Sequence, residues 1–532
     1  MPLYGKIKVI ISRNIYFFGE KTMKNKFIAL FAATAVALCG CSAEKKNDSE
    51  SIAVIDAGNV SLGSSEGVIY YGSSTSHSAS SKSSSDGSSS SSSDNGSSSG
   101  SSDEGSQSSS MIPSTSIPGK SSTTETAGYD SPESRPESSS SSSSSRETSS
   151  STQTSCSSST ETPAPVPSYG VNSYRALNYS EVKGIWISYI DLAGISSGSE
   201  SAFRSGISDI YDNCAALGIN TVYVHVRSHG DAYYSSDFFP RTKYLGGTYD
   251  PLEVMVEEAH ARGLSFQAWI NPLRGCAVSD ISRESGYKLY DWAGGETRAV
   301  QVGSYYYLNP AYEEVIDLIA NGAREITANY DVDGIHIDDY FYPTTESYFD
   351  SEAFSQSGFS SLSDFRLANC DRLVSSLYSG VKRGNSSAIF GVSCQGSLYN
   401  NYNYMYADVK KWCAQSGYID YIMPQIYYGF KNSAEPFEEC VNTWNNLAYS
   451  GGIPLIVGIT SAKLGLEDKW AGEGSDEWIT DEYILERQFL ASRELSSYGG
   501  IGIYSYGSVF NADYSVRGQV EREIDALKSA MN

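Results

Sequence analysis

The chain has 532 residues, with 62 acidic against 38 basic side chains and a net charge of −24. That balance argues against nucleic acid as a partner, because binding phosphates needs clustered Lys and Arg. The 40 tyrosines and 7 tryptophans leave neutral, hydroxyl-rich ligands open, since flat rings with a polar edge bind by stacking and hydrogen bonding rather than by charge.

Taken in order, residues 1–22 read as an extension ahead of an export signal, and Met23 is the better start. Met23-Lys24-Asn25-Lys26 is basic, and Phe27 to Leu38 is an apolar run too short to span a bilayer. Leu38-Cys39-Gly40-Cys41 then resembles a bacterial lipoprotein signal, with 23–40 removed and Cys41 carrying lipid. Residues 41–170 are dominated by serine and bury too little apolar surface to offset the entropy of ordering, so this stretch reads as a disordered linker. Its one apolar patch, Ile52 to Tyr71, suffices for a short hairpin but not for a core. A lipid anchor and a polar tether would place the rest of the chain at the cell membrane, facing outside the cytoplasm. Of nine cysteines, six fall in the folded part without a CxxC pair, so neither a zinc knuckle nor a redox dithiol is expected.

From about Tyr174 strands alternate with helices. The strands are predicted over Gly184–Tyr189, Asn220–Val226, Leu264–Asn271, Asp333–Asp339, Ala388–Cys394, Ile419–Tyr427, Ile453–Thr460 and Ile501–Tyr506. The helices are predicted over Ala202–Leu217, Pro251–Arg262, Ala311–Asn329, Leu362–Lys382, Met405–Gln415, Pro436–Tyr449, Glu482–Ser496 and Ser515–Met531. Eight such units make residues 171–532 an α/β domain of the (β/α)8 TIM-barrel class, which needs about 250 residues.

Alternation along the strands gives a polar face. Tyr223, His225 and Arg227 oppose Val222, Val224 and Val226; Gln267, Trp269 and Asn271 oppose Phe266, Ala268 and Ile270; Met423, Gln425 and Tyr427 oppose Ile422, Pro424 and Ile426. In Asp331-Val-Asp-Gly-Ile-His-Ile-Asp-Asp-Tyr-Phe-Tyr-Pro343, His336, Asp338 and Tyr340 share a face against Ile335 and Ile337. Asp339 points away from Asp338 unless the strand has already ended. A barrel-strand tip with two acids is where such folds keep their chemistry, and Arg227, Asn271, Asp338 and Gln425 should line one pocket.

Gly184-Ile-Trp-Ile, Gly218-Ile-Asn-Thr-Val-Tyr-Val-His-Val-Arg227, Gln267-Ala-Trp-Ile-Asn-Pro272, Asp333-Gly-Ile-His-Ile-Asp-Asp-Tyr340 and Asp420-Tyr-Ile-Met-Pro-Gln-Ile-Tyr427 together resemble the glycosyl-hydrolase-like 10 family over Glu181 to Tyr506. The resemblance implies a barrel glycoside hydrolase outside the cytoplasm. The family includes a bacterial lipoprotein that cuts peptidoglycan strands stripped of stem peptides. The sequence departs from the family pattern at Phe365-Arg366-Leu367, where Trp-Arg-Arg is usual, and at Phe390-Gly-Val-Ser-Cys394, which lacks the usual Pro-Phe after Ser.

Glycoside hydrolysis takes two carboxyl groups. Asp338 is expected as general acid or nucleophile and Asp339 as its nearest partner, with Asp191, Asp231 and Glu346 as other second acids. Arg227 would bind a carboxylate or orient an Asp, Asn271 and Gln425 would bond sugar hydroxyls, and Trp269, Tyr340 and Tyr427 would stack on rings. His336, on the face of Asp338, joins this binding set. No cofactor or metal is expected, the partner is a glycan, and the chain is read as a monomer. Two other classes fit less well. His225-Val-Arg-Ser-His229 beside an acid pair suggests a metal-dependent polysaccharide deacetylase, although the order is reversed and residues four apart on a strand are about 13 Å from each other. A non-catalytic glycan-binding barrel would share the fold.

Overall fold

A computed structural model of the chain describes residues 169–532, apart from 282, 283 and 296, and a separate antiparallel pair, Val9–Ile11 with Asn14–Tyr16. The export signal, Cys41, Cys156, the 52–71 hairpin and the serine-rich linker as far as 168 lie outside the described residues.

Eight parallel strands close into a barrel: β1 (Val182–Ile187), β2 (Thr221–Arg227), β3 (Ser265–Ile270), β4 (Gly334–Ile337), β5 (Ile389–Val392), β6 (Tyr421–Ile422), β7 (Leu455–Thr460) and β8 (Tyr498–Tyr504). Neighbours in the barrel are neighbours in the chain, and β8 pairs with β1. The outer helices are α1 (Glu200–Leu217), α2 (Pro251–His260), α3 (Glu313–Asn329), α4 (Leu362–Gly384), α5 (Val409–Ala414), α6 (Phe437–Gly451), α7 (Ile484–Arg493) and α8 (Arg517–Met531). Local chemistry sets their ends. The Ser199 hydroxyl accepts from the Ala202 N–H to open α1, Gly218 closes it at φ 93°, and Asp250 and Pro251 open α2.

The predicted alternation holds. Ile335, Ile337, Val222, Val224, Phe266, Ala268 and Ile422 pack under the helices, whereas Val182, Trp186, Tyr223, Trp269, Tyr421, Met423 and Ile456 fill the barrel. Room for those rings comes from glycine: a Cβ on Gly391 would overlap the Tyr421 ring.

Three departures from the predicted elements have local causes. The sixth strand is regular only at Tyr421–Ile422, because Pro424 has no N–H for the ladder; Gln425 continues it through single bridges to Gln395 and Gly458. The helix expected at Met405–Gln415 is instead Leu398–Asn403 and α5, restarted where Asp408 caps the Lys411 N–H. The stretch after β3 is not a plain loop. Arg274–Ala277, Ala299–Val302 and Tyr305–Leu308 form an antiparallel sheet with Tyr305–Leu308 central.

The chain enters from below. Asn172 bonds the Gly384 carbonyl at the end of α4 and the Tyr330 carbonyl after α3, and Tyr174 and the Leu177 N–H both bond Asp333 at the start of β4. Tyr169, expected in the linker, already bonds Asp237 and Glu325. This strap crosses the face at which the strands begin.

Candidate active site

β4 ends at Ile337, and its two acids then part company. Asp338 leans toward β3: the Asn271 amide donates to both of its carboxyl oxygens at 2.8 Å, and the Trp269 indole N–H donates to Oδ2 at 3.1 Å. The Tyr340 backbone N–H adds a fourth contact at 3.3 Å. Asp339 turns the other way and receives side-chain amides from Gln395, after β5, at 3.2 Å and from Gln425, after β6, at 3.3 Å. The pair therefore straddles the strand tip, which resolves the parity problem left by the sequence. Both are buried, at 1% and 3% exposure.

Burial pushes the Asp338 carboxyl well above its usual range, and the charge of Asp339 pushes the same way, against the pull of Asn271, the Tyr340 N–H and the Arg274 guanidinium. Two adjoining carboxyls in a medium of low dielectric do not ionise independently, because the charge of either one opposes loss of the other's proton.

A relay holds Asn271 in place. The Tyr189 N–H donates to His225 Nδ1 at 3.4 Å, so the ring proton sits on Nε2 and is donated to Asn271 Oδ1 at 2.7 Å. That fixes the amide with its NH2 toward Asp338. Burial lowers the His225 pKa well below the ordinary value, which keeps the ring neutral, and it stacks on Trp269 with centroids 3.2 Å apart. Replacing His225 with Phe should free the amide to turn and lower kcat by about ten- to a hundredfold. KM should stay unchanged and the fold intact; a KM effect alone would count against this positioning role.

Other expected residues end up elsewhere. Arg227 does not line the pocket. A β-bulge between His225 and Arg227 pairs it with Ile270, an outward residue, and its guanidinium lies 4.3 Å from the Phe239 ring among the helix packing. His336 is on the predicted face but one layer too deep to meet a ligand. The Trp186 indole donates to its Nε2 at 3.0 Å, its Nδ1 bonds the Tyr421 hydroxyl at 2.9 Å, and burial lowers its pKa to about 3. Trp269 is 3% exposed, with one face stacked on His225 and its N–H committed to Asp338, so it supports rather than stacks on a ligand. Asp191 is the capping acid of Tyr189–Ala193 and accepts from the Ser188 N–H and hydroxyl, and Glu346 is exposed. His225 of the HxxxH pair is bonded at both nitrogens, and His229 Nδ1 meets the Ser228 hydroxyl at 3.0 Å. Among the described residues no three His, Cys, Asp or Glu side chains converge as ligands for a cation.

Tyr340, Gln425 and Tyr427 do gather around the acids, with Tyr427 packed 5.7 Å from Tyr504. Arg274 was missed by the sequence reading. It opens the extra sheet, is 5% exposed, and its guanidinium lies 5.1 Å from the Tyr340 ring and 5.2 Å from that of Tyr305. A signal existed: Ala299–Val302 and Tyr305–Leu308 flank the two-residue turn Gly303-Ser304, with Gly303 at φ 59°. The Tyr340 hydroxyl, Ser393 Oγ, Gln425 Oε1 and Arg274 Nε are buried without a hydrogen-bond partner. They offer both donors and acceptors to a polyhydroxylated ligand.

A family model described as glycosyl hydrolase-like 10 matches residues 181–472. Glycosyl hydrolase YngK of Bacillus subtilis (strain 168) is 29% identical over 352 residues, covering 59% of this chain and 66% of that protein. Glycosyl hydrolase DigH of Escherichia coli (strain K12) is 28% identical over 394 residues, covering 65% of this chain and 87% of that protein. The PgaB (BpsB) glycoside hydrolase domain from Bordetella bronchiseptica superposes at TM-score 0.41 and 12% identity over 66% of this chain and 99% of its own.

Proposed function

This chain belongs to the glycosyl hydrolase-like 10 family and is a glycoside hydrolase; from that premise we propose that Asp338 and Asp339 are its paired catalysts and that it cuts the glycan strands of peptidoglycan. The observation that carries the catalytic reading is the adjoining acid pair at the tip of β4, with four side chains and a backbone N–H donating to its two carboxyls from β3, the segments after β3, β5 and β6, and its own loop.

In this mechanism the protonated carboxyl of the pair gives its proton to the glycosidic oxygen as the C1–O bond breaks. The ionised one attacks C1, or takes a proton from the water that does. Burial and the Asp339 charge favour the protonated form of Asp338, against the pull of the Arg274 cation, so Asp338 is the proton donor in this reading and Asp339 the carboxylate. Activity should therefore fall as pH rises through the upper pKa of the pair, because Asp338 sits above its usual value and the lost species is the proton donor. A kcat/KM profile that stays flat across neutral and alkaline pH would sink the proton-donor assignment.

The cell-wall reading draws support from the export signal, Cys41 as the lipid site, and the serine-rich linker, which together would hold the barrel at the membrane and outside the cytoplasm. Its test is digestion of peptide-free peptidoglycan and of a panel of plain polysaccharides by the full chain, in the presence and absence of EDTA, with mass spectrometry of the released ends. Saccharides from peptidoglycan in both conditions are expected. Release only from another glycan would overturn the substrate and leave the glycosidase standing. Loss of acetyl groups with intact chains, abolished by EDTA, would mark a deacetylase.

A further inference from the structure

A second recess lies on the rim of the barrel mouth. After β5 the chain forms the short helix Leu398–Asn403 and then α5, and between them they enclose a cavity of about 340 Å³ lined by Leu398, Tyr399, Tyr402, Asn403, Val409 and Lys410, among others. It follows the C-terminal end of a barrel strand, the same end that carries the acids. Tyr399 is 64% exposed and Tyr402 43%, although neither belongs to the acid site. Tyr399 is braced edge-on by Tyr404, with centroids 5.9 Å apart.

The recess is tied to the acids through one buried residue. Asn401, on the same short helix, donates its amide to the Gln395 and Ser397 carbonyls and accepts from the Gln395 N–H. Gln395 in turn donates its side-chain amide to Asp339. The exposed phenol rings and one member of the acid pair thus share a single rigid support.

We propose that this recess is a distal subsite that holds one neutral sugar residue of the glycan, away from the bond being cut. The proposal rests on the glycan-hydrolase reading above. A pyranose presents an apolar C–H face that lies against a phenol ring and a hydroxyl edge that meets amides and ammonium groups. Leu398 and Val409 give the recess apolar lining, and Asn403, Asp408 and Lys410 give it polar lining. Asp408 and Lys410 offset each other, which favours an uncharged or N-acetylated ring over a polyanion.

The test is the Tyr399→Ala/Tyr402→Ala double variant of the full chain, assayed on peptide-free glycan strands sorted by length. Losing two stacking contacts should lower kcat/KM on long strands by about tenfold. The shortest cleaved strand should be unaffected. Tyr449→Ala is the control: its ring is 67% exposed at the far end of α6, at the opposite face of the barrel. Equal loss at all lengths, or none at any, would overturn the subsite. Affinity electrophoresis with N-acetylated chito-oligosaccharides and hydroxyethyl cellulose separates the two readings. If wild type cleaves no strand, the substrate assignment fails, while retardation by a neutral glycan that the double variant loses still upholds the subsite, and no retardation by either probe refutes it.

Discussion

Asp338→Asn should lower kcat by about a thousandfold, the usual worth of a positioned proton donor or acceptor. The substitution preserves volume, but an amide cannot donate the carboxyl proton, and its NH2 would face the N–H groups of Asn271 and Trp269. Asp339→Asn should cost a similar factor, and the double variant little more than either single one, because the two act as a unit. Circular dichroism and the thermal midpoint check that the fold survives. Turnover near the wild-type rate in Asp338→Asn would remove the pair from the reaction.

Arg366→Ala should destabilise the barrel by about 3–5 kcal/mol, measured by urea unfolding, because it strands a buried carboxylate. Arg366 and Asp350 have fully buried side chains, and the guanidinium grips the carboxylate with two bonds, at 2.7 and 2.9 Å. It also donates to the Thr344 and Glu346 carbonyls and the Tyr406 hydroxyl, and lies 5.0 Å from the rings of Tyr342 and Tyr406. One side chain therefore pins the loop that leaves the acid pair onto α4 and the segment after β5. Replacing both charges, as Arg366→Met with Asp350→Leu, should restore much of the loss, since no unpaired charge is left behind. If Arg366→Ala unfolds at the wild-type midpoint, the pair has no structural weight.

The sequence made the barrel legible because period-two alternation and helix caps are local signals. They yielded eight units in order and the acid-bearing tip of β4. Three things were not local. The bulge after His225 shifts the chain by one residue and sends Arg227 to the helix side, and a pattern of alternation has no way to register it. Parity tells which way His336 faces but not how deep it lies, so a ring held by Trp186 and Tyr421 looked like one open to a ligand. Arg274 reaches the acids only because a hairpin 25 residues downstream, beginning at Ala299, folds back beside it. Conversely, the amide set was readable: Asn271 and Gln425 sit where their strands said they would.

The strap from Tyr169 to Leu177 gives the enzyme a handle, and its position has a mechanical outcome. Load applied through the upstream chain reaches the barrel at the floor, by way of Asp333 and the ends of α3 and α4. The described strap therefore meets the barrel at the end opposite the acids, and pulling on it strains the floor before the mouth.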